Sequence, residues 1–86
     1  APLVSAETAE ITSDVVNFTL SIFDADGISR VEISVNGSDF KNITLSDNNS
    51  TYSLNVTGYP PVITHKFNVT DTTGLSTVVE LFVIIT

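Results

Sequence analysis

The sequence predicts an all-β protein of about seven short strands, arranged as two sheets stacked face to face. Apolar and polar residues alternate with a period of two along most of the chain, as they do in strands with one buried face. Turn-forming residues interrupt this alternation at short intervals, and the density of Ser, Thr and Val favours strands over helices. Because each strand has one apolar face, stacking two sheets buries these faces in one core.

The first half of the chain contains three predicted strands. Residues 7–14 include Ala and Glu and are compatible with a helical turn, but we interpret them as an irregular first strand leading into the second. Residues 16–22 alternate strictly, with apolar side chains at the even positions. The turn signal Asp-Ala-Asp-Gly at residues 24–27 ends this strand, and residues 30–35 form the next one, with apolar side chains at the odd positions.

The second half of the chain repeats the pattern. Its apolar alternations lie, in order, at Ile43 and Leu45, at residues 52–56, at residues 65–69 and at residues 77–85. Turn signals separate the strands at residues 36–37, 47–49, 58–61 and 71–74. No internal repeat or linker is visible, so we expect residues 1–86 to form a single domain.

The last predicted strand is apolar on both faces. One face carries Val78, Phe82 and Ile84, and the other carries Val79, Leu81, Val83 and Ile85. A strand in a small antiparallel sandwich normally has one solvated face, so the first set needs a cover. We predict that Val78, Phe82 and Ile84 pack against a neighbouring domain or a second copy, the alternative cover being loops of this same domain.

The composition excludes several classes of partner and site. Ten acidic residues oppose three basic ones, and the net charge of −7 argues against binding to nucleic acid or to an anionic membrane surface. The chain has no Cys, which excludes disulfides and thiolate sites, and no apolar stretch approaches the roughly 20 residues of a membrane helix. We expect a fragment of a larger extracellular protein whose export signal lies outside residues 1–86.

Two segments are similar to a known family. Residues 24–37 contain Asp-Ala-Asp-Gly-Ile and then an apolar alternation ending in Val-Asn-Gly, while residues 65–74 read His-x-Phe-x-Val-x-Asp-x-x-Gly. Both resemble the signature of bacterial and archaeal immunoglobulin-like (Ig-like) domains, with departures at Thr70 and Leu75. The resemblance implies a Greek-key sandwich. It also implies a module, often in tandem, of cell-surface, S-layer-like or adhesin proteins, or an accessory of secreted glycoside hydrolases.

Asparagine occurs in a recurrent pattern. Seven Asn residues precede Ser or Thr by two positions without an intervening Pro, namely Asn17, Asn36, Asn42, Asn48, Asn49, Asn55 and Asn68. This is the acceptor pattern (sequon) for N-glycosylation. Residues two apart on a strand share the solvent face, where Ser and Thr concentrate, and this explains part of the coincidence. We interpret the rest as the mark of an exported glycoprotein and expect the strand asparagines, Asn17, Asn42, Asn55 and Asn68, to point outward.

Asp24, Asp26 and Asp71 form a candidate calcium site. Calcium takes six to eight oxygen ligands, and Asp-x-Asp-Gly begins many calcium loops. An EF-hand is excluded, because Val35 occupies the twelfth position, where an acid is required. In an Ig-like sandwich the loops after the second and sixth strands lie at the same end, so the resemblance implies that Asp71 joins the pair. The alternative is turn chemistry, in which Asp binds its own backbone. No other cofactor is expected.

Catalysis is not supported by the sequence. His65 is the only histidine and lies on the apolar face of a predicted strand, where we expect a core or boundary residue bonded to backbone. Nothing resembles a nucleophile elbow, and a small sandwich has no cleft to hold paired carboxylates. Tyr52 and Tyr59 are the only tyrosines and Trp is absent, so carbohydrate stacking has little support. We predict that the chain is not an enzyme.

The sequence therefore predicts a non-catalytic structural or interaction module, a spacer or packing unit of an exported, N-glycosylated cell-surface protein. The expected partners are neighbouring domains of the same chain or copies of the domain itself. The alternative is a ligand-binding module, either a carbohydrate-binding accessory of a secreted hydrolase or a calcium-dependent adhesin domain.

Overall fold

Eight β-strands build the domain, and residues 1–85, the part that the computed structural model describes, contain no helix. The strands are β1 (Leu3–Thr12), β2 (Val15–Phe23), β3 (Ile28–Val35), β4 (Lys41–Asn42), β5 (Thr44–Ser46), β6 (Asn49–Asn55), β7 (Val62–Asp71) and β8 (Ser76–Ile84). This described range accordingly offers no helix long and apolar enough to cross a bilayer. The predicted all-β architecture is confirmed.

The strands form two antiparallel sheets of four strands each. Sheet A has the order β1-β2-β6-β5, and sheet B has the order β4-β3-β7-β8. The chain changes sheets after β2, after β4 and after β6, which is the Greek-key connectivity of an Ig-like sandwich. Strands that are distant in sequence therefore become neighbours, and loops from both halves of the chain meet at each end.

The core lies between the sheets and consists of the apolar positions that the alternation predicted. Its buried members are Val16, Phe18, Leu20, Ile22, Val31, Ile33, Val35, Leu54, Val56, Ile63, Phe67 and Val69. They come from the central strands β2, β3, β6 and β7 and from the residue that follows β6. The edge strands add half-buried side chains such as Val4, Leu45 and Val79, so hydrophobic stabilisation is concentrated in the middle of each sheet.

The first segment is a strand. The alternative of a helical turn, which its Ala and Glu residues allowed, is wrong. β1 pairs with β2 along its whole length. The register shifts between Val4 and Ala6, where the Ser5 hydroxyl donates to the Ser21 carbonyl at 3.1 Å, so the strand is irregular as expected. Pairing satisfies the backbone groups of β1 that face β2, which outweighs a modest local preference for helix.

The chain changes sheets at Ile43, inside what the sequence predicted as one strand. β4 pairs with β3 in sheet B, whereas β5 pairs with β6 in sheet A. The Ile43 N–H donates to the Val31 carbonyl at 3.0 Å where the chain leaves sheet B. The alternation around Ile43 and Leu45 thus indicates which side chains face inward, but it does not determine which neighbouring strand the backbone pairs with.

The outer faces of the two sheets differ in chemistry. The central strands of sheet A present Asn17, Thr19, Ser21, Asn49, Thr51, Ser53 and Asn55. Strands β7 and β8 of sheet B present Val62, Thr64, Lys66, Asn68, Val78, Glu80, Phe82 and Ile84. One side of the sandwich is therefore a surface of hydroxyl and amide groups, and the other side carries exposed apolar residues.

Candidate metal centre and contact surface

Two loops at one end of the sandwich bring three aspartates together. Asp24 and Asp26 lie between β2 and β3, and Asp71 is the last residue of β7. One carboxylate oxygen from each residue lies within 4.8 Å of the other two. The three residues that the sequence singled out are therefore neighbours, because the Greek-key order places β3 beside β7.

Thr72 connects the two loops that carry the aspartates. Its N–H donates to the Gly27 carbonyl at 3.0 Å, and its hydroxyl donates to the Asp26 carbonyl at 2.5 Å. Gly27 has a φ of +91°, a left-handed conformation that glycine adopts without steric cost, and its N–H donates to the Asp24 carbonyl at 3.0 Å. One backbone hydrogen bond and one from the Thr72 side chain thus hold the two loops together.

Asp71 is the most deeply buried member of the cluster, with 2% of its surface exposed. Its Oδ1 accepts hydrogen bonds from the Thr73 N–H, the Thr73 hydroxyl and the Leu75 N–H at 2.9, 2.7 and 2.9 Å. Its Oδ2 is buried and has no hydrogen-bond partner among the described residues. The Thr73 hydroxyl is the main cause of a lowered pKa of Asp71, opposed by burial and supported by the two N–H groups and the amino terminus.

The amino terminus faces the free oxygens of two of these carboxylates. Asp24 uses its Oδ1 to accept a hydrogen bond from the Asp26 N–H at 2.8 Å. The Ala1 ammonium lies 3.9 Å from Asp24 Oδ2 and 4.0 Å from Asp71 Oδ2, beyond hydrogen-bond distance. The two Oδ2 atoms therefore point toward one positive group without being bonded to it.

The predicted contact residues on β8 are exposed. We define the apolar strip as Val62, Val78, Phe82 and Ile84, whose exposed fractions are 49, 57, 66 and 57%. They lie on the outer face of sheet B, on its edge strand β8 and the neighbouring β7. Within residues 1–85 no loop covers these side chains, so the alternative in which the domain covers its own last strand is wrong.

None of the seven sequon asparagines is buried, but they differ in accessibility. The exposed ones are Asn36, Asn42, Asn48, Asn49 and Asn55, and the half-buried ones are Asn17 and Asn68. Asn68 Nδ2 donates to Glu32 Oε1 at 3.3 Å. Thr70, the hydroxyl residue of this sequon, is 3% exposed and shares a hydrogen bond with the Ser76 hydroxyl. The two residues that define this sequon, Asn68 and Thr70, are thus both held in hydrogen bonds within the fold.

His65 is a core residue as expected, but the backbone partner that we expected is wrong. Its Nε2 donates to Glu7 Oε2 at 2.8 Å, because Glu7 points inward from β1 on the opposite sheet. The imidazole also packs against the rings of Phe18 and Phe67, with centroid distances of 4.6 and 5.5 Å. Sequence reasoning missed Glu7, because it lies just past the irregularity in β1 that alters the alternation.

The exposed aromatic rings do not form a row. They are Phe23, Phe40, Tyr59 and Phe82, and they belong to four separate segments of the described chain. Tyr52 is half-buried, and the Lys41 ammonium lies 4.7 Å from its ring centroid. A carbohydrate platform of the kind made by adjacent aromatic side chains is therefore not favoured by this arrangement.

Comparison with known proteins connects the fold to a family. No curated protein and no solved structure shows significant similarity to the chain. A family model described as "Bacterial Ig domain" matches residues 4–78, which include both the Asp-Ala-Asp-Gly turn and the turn after Asp71. Domains of this family are generally non-catalytic modules, and the resemblance seen in residues 24–37 and 65–74 is confirmed. The chain therefore belongs to the bacterial Ig-like domain family.

Proposed function

We propose that the domain is a packing unit of an exported, N-glycosylated cell-surface protein, and that its apolar strip binds a second copy of the same domain. The observation that carries this proposal is the exposure of Phe82, Ile84 and Val62 beside one another on the outer face of sheet B, with Val78 on the same face beyond the Lys66–Glu80 pair. Monomeric proteins rarely leave large contiguous apolar patches in water, and an uncovered apolar edge strand is an aggregation hazard. A partner that covers the strip would remove these side chains from water and would protect the edge strand from aggregation.

The charges beside the strip favour a partner with the same surface. Lys66 Nζ lies 3.8 Å from Glu80, and Arg30 Nε lies 3.2 Å from Glu32, so the charges of this face are paired within it. The face is therefore close to neutral, although the chain as a whole carries a net charge of −7. Two copies can therefore meet through this face without bringing unpaired like charges together.

The position of the sequons supports glycosylation on the side away from the strip. Asn17, Asn49 and Asn55 lie on the outer face of sheet A, opposite the proposed contact. Asn68, in contrast, is paired in register with Val78 of the strip. Glycans on sheet A leave the contact free, while a glycan on Asn68 would obstruct it.

We therefore expect N-glycans at the exposed asparagines of sheet A and an unmodified Asn68 when the chain is secreted from a host that glycosylates. Site-resolved mass spectrometry of the secreted chain measures this occupancy. Asn49 and Asn55, which are exposed on the outer face of sheet A, serve as the internal comparison. Full occupancy at Asn68, or none at Asn49 and Asn55, would contradict the proposed two-sided surface.

Self-association through the strip is the test of the packing role. In sedimentation experiments over a range of concentrations, we expect the unmodified domain to form dimers. The double variant Phe82→Ser, Ile84→Ser should dimerise at least about tenfold more weakly, because each buried apolar side chain contributes about 1.5–3 kcal/mol and 1.4 kcal/mol corresponds to tenfold. The matched control is Phe23→Ser, Leu75→Ser, which removes two side chains that are each 56% exposed outside the strip.

Two results would overturn the packing role. One is a domain that stays monomeric at millimolar concentration, where even a weak specific interface is populated. The other is equal weakening of association in the strip variant and in the control, which would show that apolar exposure in general causes it. Circular dichroism of each variant verifies that the β-sandwich is retained.

A further inference from the structure

We propose that Asp24, Asp26 and Asp71 bind a calcium ion that ties the β2–β3 loop to the β7–β8 turn. This site lies at the end of the sandwich, separate from the apolar strip, so its failure would leave the packing role untouched. The three aspartates belong to loops that are already in contact through Thr72. A cation bound to all three would therefore stabilise an arrangement that the backbone has largely formed, at a small cost in ordering.

Turn chemistry explains only one carboxylate oxygen of Asp24 and one of Asp71. Oδ1 of Asp24 accepts from the Asp26 N–H, and Oδ1 of Asp71 accepts three hydrogen bonds within its own turn. Oδ2 of Asp71 is buried without a hydrogen-bond partner among the described residues, although such an oxygen carries a large desolvation penalty when it is left unpaired. A ligand that Oδ2 coordinates accounts for this atom, and turn capping does not.

The separation of the oxygens suits calcium. Calcium–oxygen distances are about 2.3–2.6 Å, so two oxygens bound to one calcium ion lie at most about 4.6–5.2 Å apart. The three aspartates offer oxygens that are all within 4.8 Å of one another. All donors are hard carboxylate oxygens, and calcium tolerates an irregular shell that waters complete, whereas magnesium demands near-ideal octahedral geometry.

The basic side chains of the chain lie elsewhere, so they do not neutralise the cluster. Arg30 pairs with Glu32, Lys66 is close to Glu80, and Lys41 lies over the ring of Tyr52. These are the three basic residues of the sequence. The remaining positive group is the Ala1 ammonium, at 3.9 Å from Asp24 and 4.0 Å from Asp71. A bound calcium ion would replace the ammonium as the positive charge beside these carboxylates and would neutralise more of their negative charge.

The experiment compares thermal unfolding with and without calcium in four proteins: the unmodified domain, Asp26→Asn, Asp71→Asn and Asp39→Asn. Asp26 is exposed and its side chain makes no hydrogen bond within residues 1–85, so Asp26→Asn is expected to fold normally. Asp71→Asn keeps an oxygen for the turn but loses the charge. Asp39→Asn is the matched control, because it removes one exposed acid at the opposite end of β3.

Calcium at one hundred times its Kd should raise the ratio of folded to unfolded protein about a hundredfold, which for a domain of this size raises Tm by about 10 °C or more. We expect this rise in the unmodified domain and in Asp39→Asn, and its loss in Asp26→Asn and Asp71→Asn. Chelator and sodium chloride at matched ionic strength define the baseline. Isothermal titration with calcium chloride gives the Kd and the stoichiometry directly.

Acetylation of the Ala1 amine provides a further test of the calcium site. It removes the positive charge that faces Asp24 and Asp71, and calcium should then bind more tightly. The proposal is overturned if the unmodified domain shows no Tm shift up to 10 mM calcium, about tenfold above the Kd of the weakest extracellular calcium modules. It is also overturned if all four proteins shift equally, which is the signature of general screening of an acidic surface.

Discussion

Phe67→Ala should lower the free energy of unfolding by about 3–5 kcal/mol, the usual cost of removing a buried aromatic side chain. The Phe67 ring is fully buried in the core. It packs edge-on against Phe18 and against His65, with centroid distances of 5.9 and 5.5 Å, so its loss opens a cavity shared by both sheets. Small domains have a total stability of about 5–15 kcal/mol, and this variant should be partly unfolded at 37 °C.

Chemical denaturation monitored by circular dichroism measures the change caused by Phe67→Ala. The matched control is Phe82→Ala, which removes the same ring from an exposed position on β8 and should change the stability of the monomer by no more than about 0.5 kcal/mol. A similar loss in both variants would mean that sheet B does not bury Phe67 against sheet A. The comparison should be made at a concentration at which the unmodified domain is monomeric.

Glu7→Ala should destabilise the domain by about 1–3 kcal/mol, because it leaves a buried donor without a partner. His65 is buried, and its Nε2 has Glu7 Oε2 at 2.8 Å as its partner. The other ring nitrogen, Nδ1, has no hydrogen-bond partner among the described residues, so the variant would leave the whole imidazole unsatisfied. The pair also joins β1 to β7 across the two sheets, and its loss should loosen the first strand.

Two controls separate the hydrogen bond from the other properties of Glu7. Glu7→Gln keeps an acceptor oxygen at the same position and should retain most of the stability. Glu10→Ala removes an exposed acid from the same strand and should have an effect of less than about 0.5 kcal/mol. Hydrogen exchange of the β1 amides should accelerate in Glu7→Ala alone. If Glu7→Ala and Glu10→Ala are equally stable, the contact with His65 does not contribute to folding.

Much of this fold could be predicted from the alternation of apolar residues. Residues 16–22, 30–35 and 65–69 place their apolar side chains in the core as the period of two indicates, because side chains alternate between the faces of a strand. The same pattern predicted that Phe82 and Ile84 would lie on the outer face of the last strand. It did not reveal that the chain changes sheets at Ile43, since the alternation on both sides of that residue is the same whichever sheet it pairs with.

The candidate metal site was predictable in its members but not in its chemistry. The Asp-x-Asp-Gly spacing and the resemblance to Ig-like domains indicated that Asp24, Asp26 and Asp71 would meet. Only the structure shows that Asp71 is buried with Oδ1 satisfied and Oδ2 unpartnered, because burial depends on how the β7–β8 turn packs against the β2–β3 loop.

The sequence by itself thus determined the class of fold, the composition of the core and the identity of the turn residues, all of which follow from local spacing. The tertiary structure alone decided three further properties: the contact between Glu7 and His65, the engagement of the Asn68 sequon by Glu32, and the absence of a loop over the apolar strip within residues 1–85. Each of these depends on groups that are far apart along the chain. A local pattern specifies which face a side chain occupies, whereas the Greek-key crossings determine what lies opposite that face.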